Sequence, residues 1–172
     1  MAVARALALQ PSLLIADEPT AGLDVSVQGE IVNLLMRLQR ELGLSILVIS
    51  HNLHVIRLMA ARVGVCYLGR LVEEGPADRL FAHPEHPYTA GLCAANLSSD
   101  PDTEWPVMTI RGDVPSLFER PSGCALHPRC PRAVERCRVD LPRIRAIADG
   151  RIVECHRPLS GNESTAREWA AC

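Results

Sequence analysis

The sequence contains no lysine, and all 18 of its basic residues are arginine. That absence excludes a phosphate-binding loop of the Gly-x4-Gly-Lys-Ser/Thr type, in which backbone N–H groups cradle phosphates and the lysine offsets their charge. No such string occurs anywhere in the 172 residues. Aromatic residues are scarce as well, with two Trp, two Tyr and two Phe, so any core must be aliphatic. No apolar run approaches the ~20 residues of a membrane span, and Met1–Arg5 lacks the layout of a signal peptide. A net charge of -2 leaves no basic surplus for a nucleic-acid partner. The expectation is a cytosolic chain whose contact with a membrane is peripheral. With 48% hydrophobic and 22% charged residues it has the balance of an ordinary globular protein.

The first third reads as an α/β unit. Leu13-Leu14-Ile15-Ala16 is a short apolar run that stops at Asp17-Glu18-Pro19, which suggests a buried strand. Asp24 or Ser26 can cap a helix whose apolar stripe is Val27, Ile31, Leu34, Leu35, Leu38 and Leu42. Gly43 stands where a left-handed C-terminal cap belongs. Ile46–Ile49 is apolar at every position, the pattern of a parallel strand covered on both faces. A second helix is expected over about Asn52–Ala61, followed by a hairpin that turns at Gly69-Arg70. The composition changes near Gly75-Pro76, after which six of the seven Cys fall. Short helices are expected around Ala77–Ala82 and Tyr88–Asn96, with Ser98–Trp105 as a linker and the remainder rich in loops. His83 and His86, each before a proline, read as helix starts.

In open α/β sheets ligands bind beyond the carboxyl ends of the strands. Asp17 and Glu18 end the first strand, and Ser50 and His51 end the next, so neighbouring strands would face both pairs into one crevice. A strand-end Asp suits Mg²⁺ in a phosphate-handling ATPase, a second carboxylate can polarise the attacking water, and a nearby His can contact the phosphoryl group. Read alone, Asp17 is equally a helix cap and His51 a solvated side chain.

The longer strings narrow this. Leu13–Val25 resembles the Walker B segment and D-loop of ATP-binding-cassette (ABC) ATPases, and Ile49-Ser50-His51 resembles their switch-histidine loop. Ala4–Pro11 is similar to the end of the helix that follows the family signature. The resemblance implies that Asp17 serves Mg²⁺, that Glu18 is the general base, that His51 senses the γ-phosphate of ATP, and that Asp24 acts where two nucleotide-binding domains meet. Asn52 stands where the family most often has Asp, which leaves a local hydrogen bond open.

Four cysteines make a second constellation, Cys124-x5-Cys130-x6-Cys137-x17-Cys155, with His127 and His156 beside them. Disulfides are a poor explanation in a cytosolic setting. Four thiolates suit Zn²⁺ or a 4Fe–4S cluster, although the C-x2-C knuckle of zinc ribbons is missing. Reduced structural thiols are the plain alternative. Cys66 and Cys93 read as small hydrophobes.

His83–Thr89, Ile110–Pro115 and this cysteine block resemble the C-terminal extension of oligopeptide and dipeptide importer ATPases, whose members bind a 4Fe–4S cluster through four such cysteines. The resemblance implies an α/β fold made of the C-terminal half of a P-loop ABC nucleotide-binding domain over residues 1–75 and a loop-rich, four-cysteine extension over 76–172. It implies ATP hydrolysis coupled to peptide uptake at the cytoplasmic face of the plasma (inner) membrane. The partners would be a second nucleotide-binding subunit, two transmembrane permease subunits and, indirectly, a peptide-binding protein. It also implies a truncated chain that lacks the phosphate-binding loop and the signature, both lying upstream of Met1, and that is inactive alone. A metal-cluster docking module without enzymatic activity and a non-functional gene remnant are the alternatives.

Overall fold

The computed structural model describes residues 2–96 and 108–160. The expected linker at Ser98–Trp105 and Cys172 lie outside the described residues. The fold is mixed α/β and divides into two compact units, Met1–Ala60 and Ala61–Cys172. That division precedes the change in composition at Gly75-Pro76, because the hairpin crossing that point belongs wholly to the second unit.

The first unit runs α1 (Ala2–Leu7), β1 (Leu13–Asp17), α2 (Val25–Leu42), β2 (Ser45–Ile49) and α3 (Leu53–Met59). Strands β1 and β2 pair in parallel, from Leu13 opposite Ser45 to Asp17 opposite Ile49. Helix α2 starts where Asp24 accepts a hydrogen bond from the Val27 N–H at 2.9 Å, which satisfies one otherwise orphaned donor of the first turn. It ends at Gly43, whose φ of 61° is the left-handed conformation that glycine adopts without a Cβ clash. Leu14, Leu35 and Leu44 form the core, with Val3, Leu7, Ile31, Ile46 and Met59 packed around it.

Since side chains alternate across a strand, this core uses only one face of the two-stranded sheet. Leu13, Ile15, Leu47 and Ile49 lie on the other face and are 51%, 60%, 51% and 48% exposed. The apolar run in β2 does predict a strand, but coverage on both faces is not found here. The helices of this unit supply a single covering layer.

The second unit contains β3 (Arg62–Tyr67), β4 (Arg70–Pro76), α4 (Ala77–Ala82), α5 (Pro87–Asn96), α6 (Glu135–Val139), β5 (Ile144–Ile147) and β6 (Arg151–Glu154). Its antiparallel sheet has the order β3-β4-β6-β5. The hairpin turns at Leu68-Gly69, one residue before the expected Gly69-Arg70. Both turn residues take positive φ, 46° and 72°, the geometry whose twist matches antiparallel strands. His86 precedes α5 as expected, whereas His83 closes α4 instead of opening a helix. Cys93 is buried as expected, but Cys66 is exposed and does not serve as a small core residue.

The expected loop-rich tail is more ordered than its composition suggests. Strands β5 and β6 complete the sheet, and a buried ionic node locks β6 to the segment before α5. Glu73 is fully buried and accepts the N–H groups of Glu85 and His86, each at 2.9 Å. Arg151 donates to the His83 carbonyl and lies 3.7 Å from the Glu85 carboxylate. Burial in this apolar setting pushes the Glu73 carboxyl above its ordinary value, while the two N–H donors and Arg151 act against the rise.

Candidate functional site

The carboxyl ends of β1 and β2 bring Glu18, Ser50 and His51 together, as the parallel register requires. Glu18 sits at a φ of 44°, an uncommon conformation for a residue with a side chain and one that costs on the order of 1 kcal/mol. The bend is held on both sides: the Glu18 N–H donates to the Ile49 carbonyl at 2.8 Å, and the Ala21 N–H donates to the Glu18 carbonyl at 3.1 Å. It aims the carboxylate at the neighbouring strand end. There Oε1 accepts the His51 backbone N–H at 3.0 Å and lies 2.8 Å from His51 Nδ1. Oε2 accepts from the Ser50 hydroxyl at 3.3 Å. The His51 side-chain contact, followed by the backbone N–H and the Ser50 hydroxyl, holds the Glu18 carboxyl below the usual carboxylate range.

The rest of the corner is local. Ser50 Oγ accepts the Asn52 N–H at 3.1 Å, so one hydroxyl bridges Glu18 and the start of α3. Asn52 Oδ1 accepts the N–H groups of His54 and Val55 at 3.1 and 3.4 Å. The cap left open by finding Asn in place of Asp is therefore made. Asp17 ends β1 on the bare sheet face, opposite Ile49. Asp24 is occupied as the cap of α2: its Oδ1 accepts the Val27 N–H and the Ser26 hydroxyl, and these bonds lower its pKa. A carboxylate and an imidazole in contact at strand ends, both solvent-accessible, can take a proton from a water and steady it for attack on a phosphoryl group.

In the second unit one pocket is lined by all four clustered cysteines, Cys124, Cys130, Cys137 and Cys155. Gly123, at a φ of 62°, allows the close approach that puts the Cys124 N–H 2.8 Å from the Cys137 carbonyl. Any side chain at Gly123 would meet the backbone of Cys137 and Arg138. His127 Nδ1 lies 3.1 Å from the Cys124 carbonyl and His156 Nε2 lies 2.9 Å from that of Asp140, so each ring is oriented by backbone. Burial pushes the Cys124 and Cys130 thiols up and the Cys155 thiol up to about 12, and neighbouring cysteines add to each rise. The donor set suits a thiolate-bound metal in kind. Among the described residues, however, no group of three or more His, Cys, Asp or Glu is arranged as a ready site for a metal ion.

Residues 72–137 match the family described as the oligopeptide/dipeptide transporter, C-terminal region. The "Probable peptide ABC transporter ATP-binding protein y4tS" of Sinorhizobium fredii is 53% identical over 91% of this chain and 44% of its own length. The "Di/tripeptide transport ATP-binding protein DppF" of Pseudomonas aeruginosa is 49% identical over 91% of this chain and 48% of its own. The chain belongs to the peptide ABC transporter ATP-binding family. It spans about half the length of the curated relatives it matches. A solved structure of cbiO1 from Clostridium perfringens, part of the ABC transporter complex cbiONQ, is 37% identical over 53% of this chain and 36% of that one. Its TM-score of 0.45 is too low to bear on the fold.

Sequence reasoning names Glu18, His51 and the four cysteines; the structure brings Glu18 to His51 and lines one pocket with the four cysteines. It misses Ser50 as the bridge that holds Glu18, although Ser-His-Asn before an apolar helix is a legible capping string. It also misses Arg132 and Arg157 at the cysteine pocket. Among the described residues no helix is long and apolar enough to cross a membrane.

Proposed function

We propose that this chain carries the hydrolytic corner of an ATP-binding subunit that couples ATP hydrolysis to the uptake of oligopeptides or dipeptides. The observation that carries the reading is the 2.8 Å contact between Glu18 and His51, made by two strand ends and a strained backbone bend. Glu18 is the base that takes the proton of the attacking water, and His51 orients it and contacts the γ-phosphate. Asp17 is the residue for Mg²⁺, which would offset charge on the phosphates. Asp24, beyond its capping bonds, lies at the contact with a second nucleotide-binding subunit. Residues 1–75 act as the C-terminal half of the ABC domain and 76–172 as the importer-specific extension. The bare face of the β1–β2 sheet supports this division, because parallel sheets are ordinarily covered on both faces. Two transmembrane permease subunits and, indirectly, a peptide-binding protein complete the machine, with this subunit peripheral on the cytoplasmic face of the inner membrane.

The four cysteines form one metal centre in this reading, a 4Fe–4S cluster or, as the alternative, Zn²⁺, and its role is structural. Its support is the convergence of four thiols on one pocket in a chain segment poor in apolar surface.

The test is a chimera in which this chain replaces the matching part of the Pseudomonas aeruginosa di/tripeptide transport protein, assayed for peptide-dependent growth and ATP turnover. Uptake is expected with the native sequence. Glu18→Gln should lower turnover by about 100-fold or more while ATP stays bound, as loss of a general base predicts. Full turnover in that variant would falsify the assignment of Glu18.

A further inference from the structure

The cysteine pocket carries more positive charge than its neutral thiols can use. Arg132 and Arg157 both line it. Among the described residues, buried Arg132 Nε has no hydrogen-bond partner, and no carboxylate lies at ion-pair distance from either guanidinium. Glu154 is near Cys124, but its carboxylate is already paired with Arg70 Nε at 2.7 Å. A buried N–H donor without an acceptor is costly, on the order of 1–3 kcal/mol, so its persistence asks for a missing partner.

The local sequence supplies the symmetry. Cys130-Pro-Arg132 and Cys155-His-Arg157 share the pattern Cys-x-Arg. In both, the backbone N–H of the arginine reaches the sulfur two residues before it, at 3.4 Å for Arg157 and Cys155. Leu126 does the same for Cys124, but with an apolar side chain. N–H donors favour the thiolate over the thiol. At two corners of the pocket, therefore, one residue brings both a backbone donor and a guanidinium to bear on ionised sulfur.

We propose that Arg132 and Arg157 are the countercharges of a metal centre bound by Cys124, Cys130, Cys137 and Cys155. This rests on the reading that the four cysteines share one centre. When the metal binds, each of the four thiols releases its proton to solvent. A divalent ion held by four thiolates leaves a net charge of about −2, and the two guanidiniums match it. The buried Arg132 Nε–H then has an anionic acceptor beside it, which the neutral thiols do not offer.

The experiment loads the full chain anaerobically with equimolar ferrous and ferric iron and sulfide, and in parallel with Zn²⁺ alone, then follows retention against a competing chelator. Arg132→Met and Arg157→Met are expected to weaken retention by about 10- to 100-fold, the usual scale for groups just outside the ligands. Arg157→Lys should recover most of the loss, because charge suffices there. Arg132→Lys should recover less, because an ammonium lacks the fixed guanidinium fork. Iron-loaded variants lacking a guanidinium should have a more negative reduction potential, since a lost cation disfavours the added electron. Looser packing alone does not predict that sign. Near-ultraviolet circular dichroism of the Tyr67–Tyr88 pair, 4.7 Å apart, verifies that each variant is folded. If a Met variant is unfolded, the Lys variant at that position decides. Wild-type retention and potential in the folded variants would overturn the inference while leaving the cysteine centre intact. Failure of the unsubstituted chain to retain either metal would overturn the cysteine centre, and the inference with it.

Discussion

Removing Arg151 should destabilise the second unit more than any exposed substitution. Its residue is 6% exposed, it donates to the His83 carbonyl, and it faces the buried carboxylates of Glu73 and Glu85. Taking away one partner of a buried charge group generally costs about 3–5 kcal/mol, because the remaining charge is left uncompensated. Here the remaining carboxylates are not wholly orphaned. Glu73 keeps two backbone N–H donors and Glu85 keeps the Ser160 N–H at 2.9 Å. The loss for Arg151→Met, which preserves most of the stem's volume, should therefore fall near the lower end, about 3 kcal/mol. With a urea m-value of about 2 kcal/mol/M, the unfolding midpoint should drop by roughly 1.5 M. The readout is near-ultraviolet circular dichroism of Tyr67 and Tyr88, which both lie in this unit. Glu85→Gln combined with Arg151→Met should cost less than the sum of the two single changes. A loss below about 1 kcal/mol for Arg151→Met, with additive behaviour in the double variant, would mean the node is a surface-like ion pair and refute the reasoning.

Three further outcomes are expected. In carbon-detected NMR the Glu18 carboxyl should titrate below the ordinary range, and His51→Ala should move it back up. A depressed carboxylate pKa favours folding above the unfolded value and loses that effect as pH falls through the folded one, so an unchanged titration in His51→Ala would deny the contact its role. The chain alone should release no phosphate from ATP beyond a protein-free blank, for want of a phosphate-cradling loop and its lysine; Glu18-dependent release would contradict this. Anaerobic preparations should carry about four iron and four sulfide per chain, lost on replacing Cys124, Cys130, Cys137 or Cys155 by Ser but not Cys66. A colourless protein with about one zinc would move the assignment to Zn²⁺, and a folded, metal-free tail would remove both.

The first unit was legible because its signals are local. A stripe at helical spacing, Asp24 before it and Gly43 after it define α2, and a short apolar run defines each strand. The parallel register then brings Glu18 to His51 without further information. The second unit was less legible because its interior charges mask the apolar pattern. Arg151 and Glu154 are buried within β6, and Glu73 within β4. Such residues mark an exposed strand or loop unless their partners are known, and the partners come from distant segments. The shifted hairpin has a similar cause. Composition favours Gly69-Arg70, but the pairing of Tyr67 with Arg70 forces Leu68 into the turn at positive φ.

The two constellations therefore differ in what a sequence can say about them. At the Glu18–His51 corner each residue sits at the end of an element whose identity is fixed by its own neighbours, so placing the strands places the contact. At the cysteine pocket the cysteine positions are readable one by one, yet the arginines beside them come together only when Cys130 and Cys155 line the same cavity. The Cys-x-Arg pairs are too short to signal anything on their own. Once folded, they place two guanidiniums, with no carboxylate partner among the described residues, beside four thiols. The fold thus sets two arginines beside four cysteines, a grouping that neither residue type signals in the sequence.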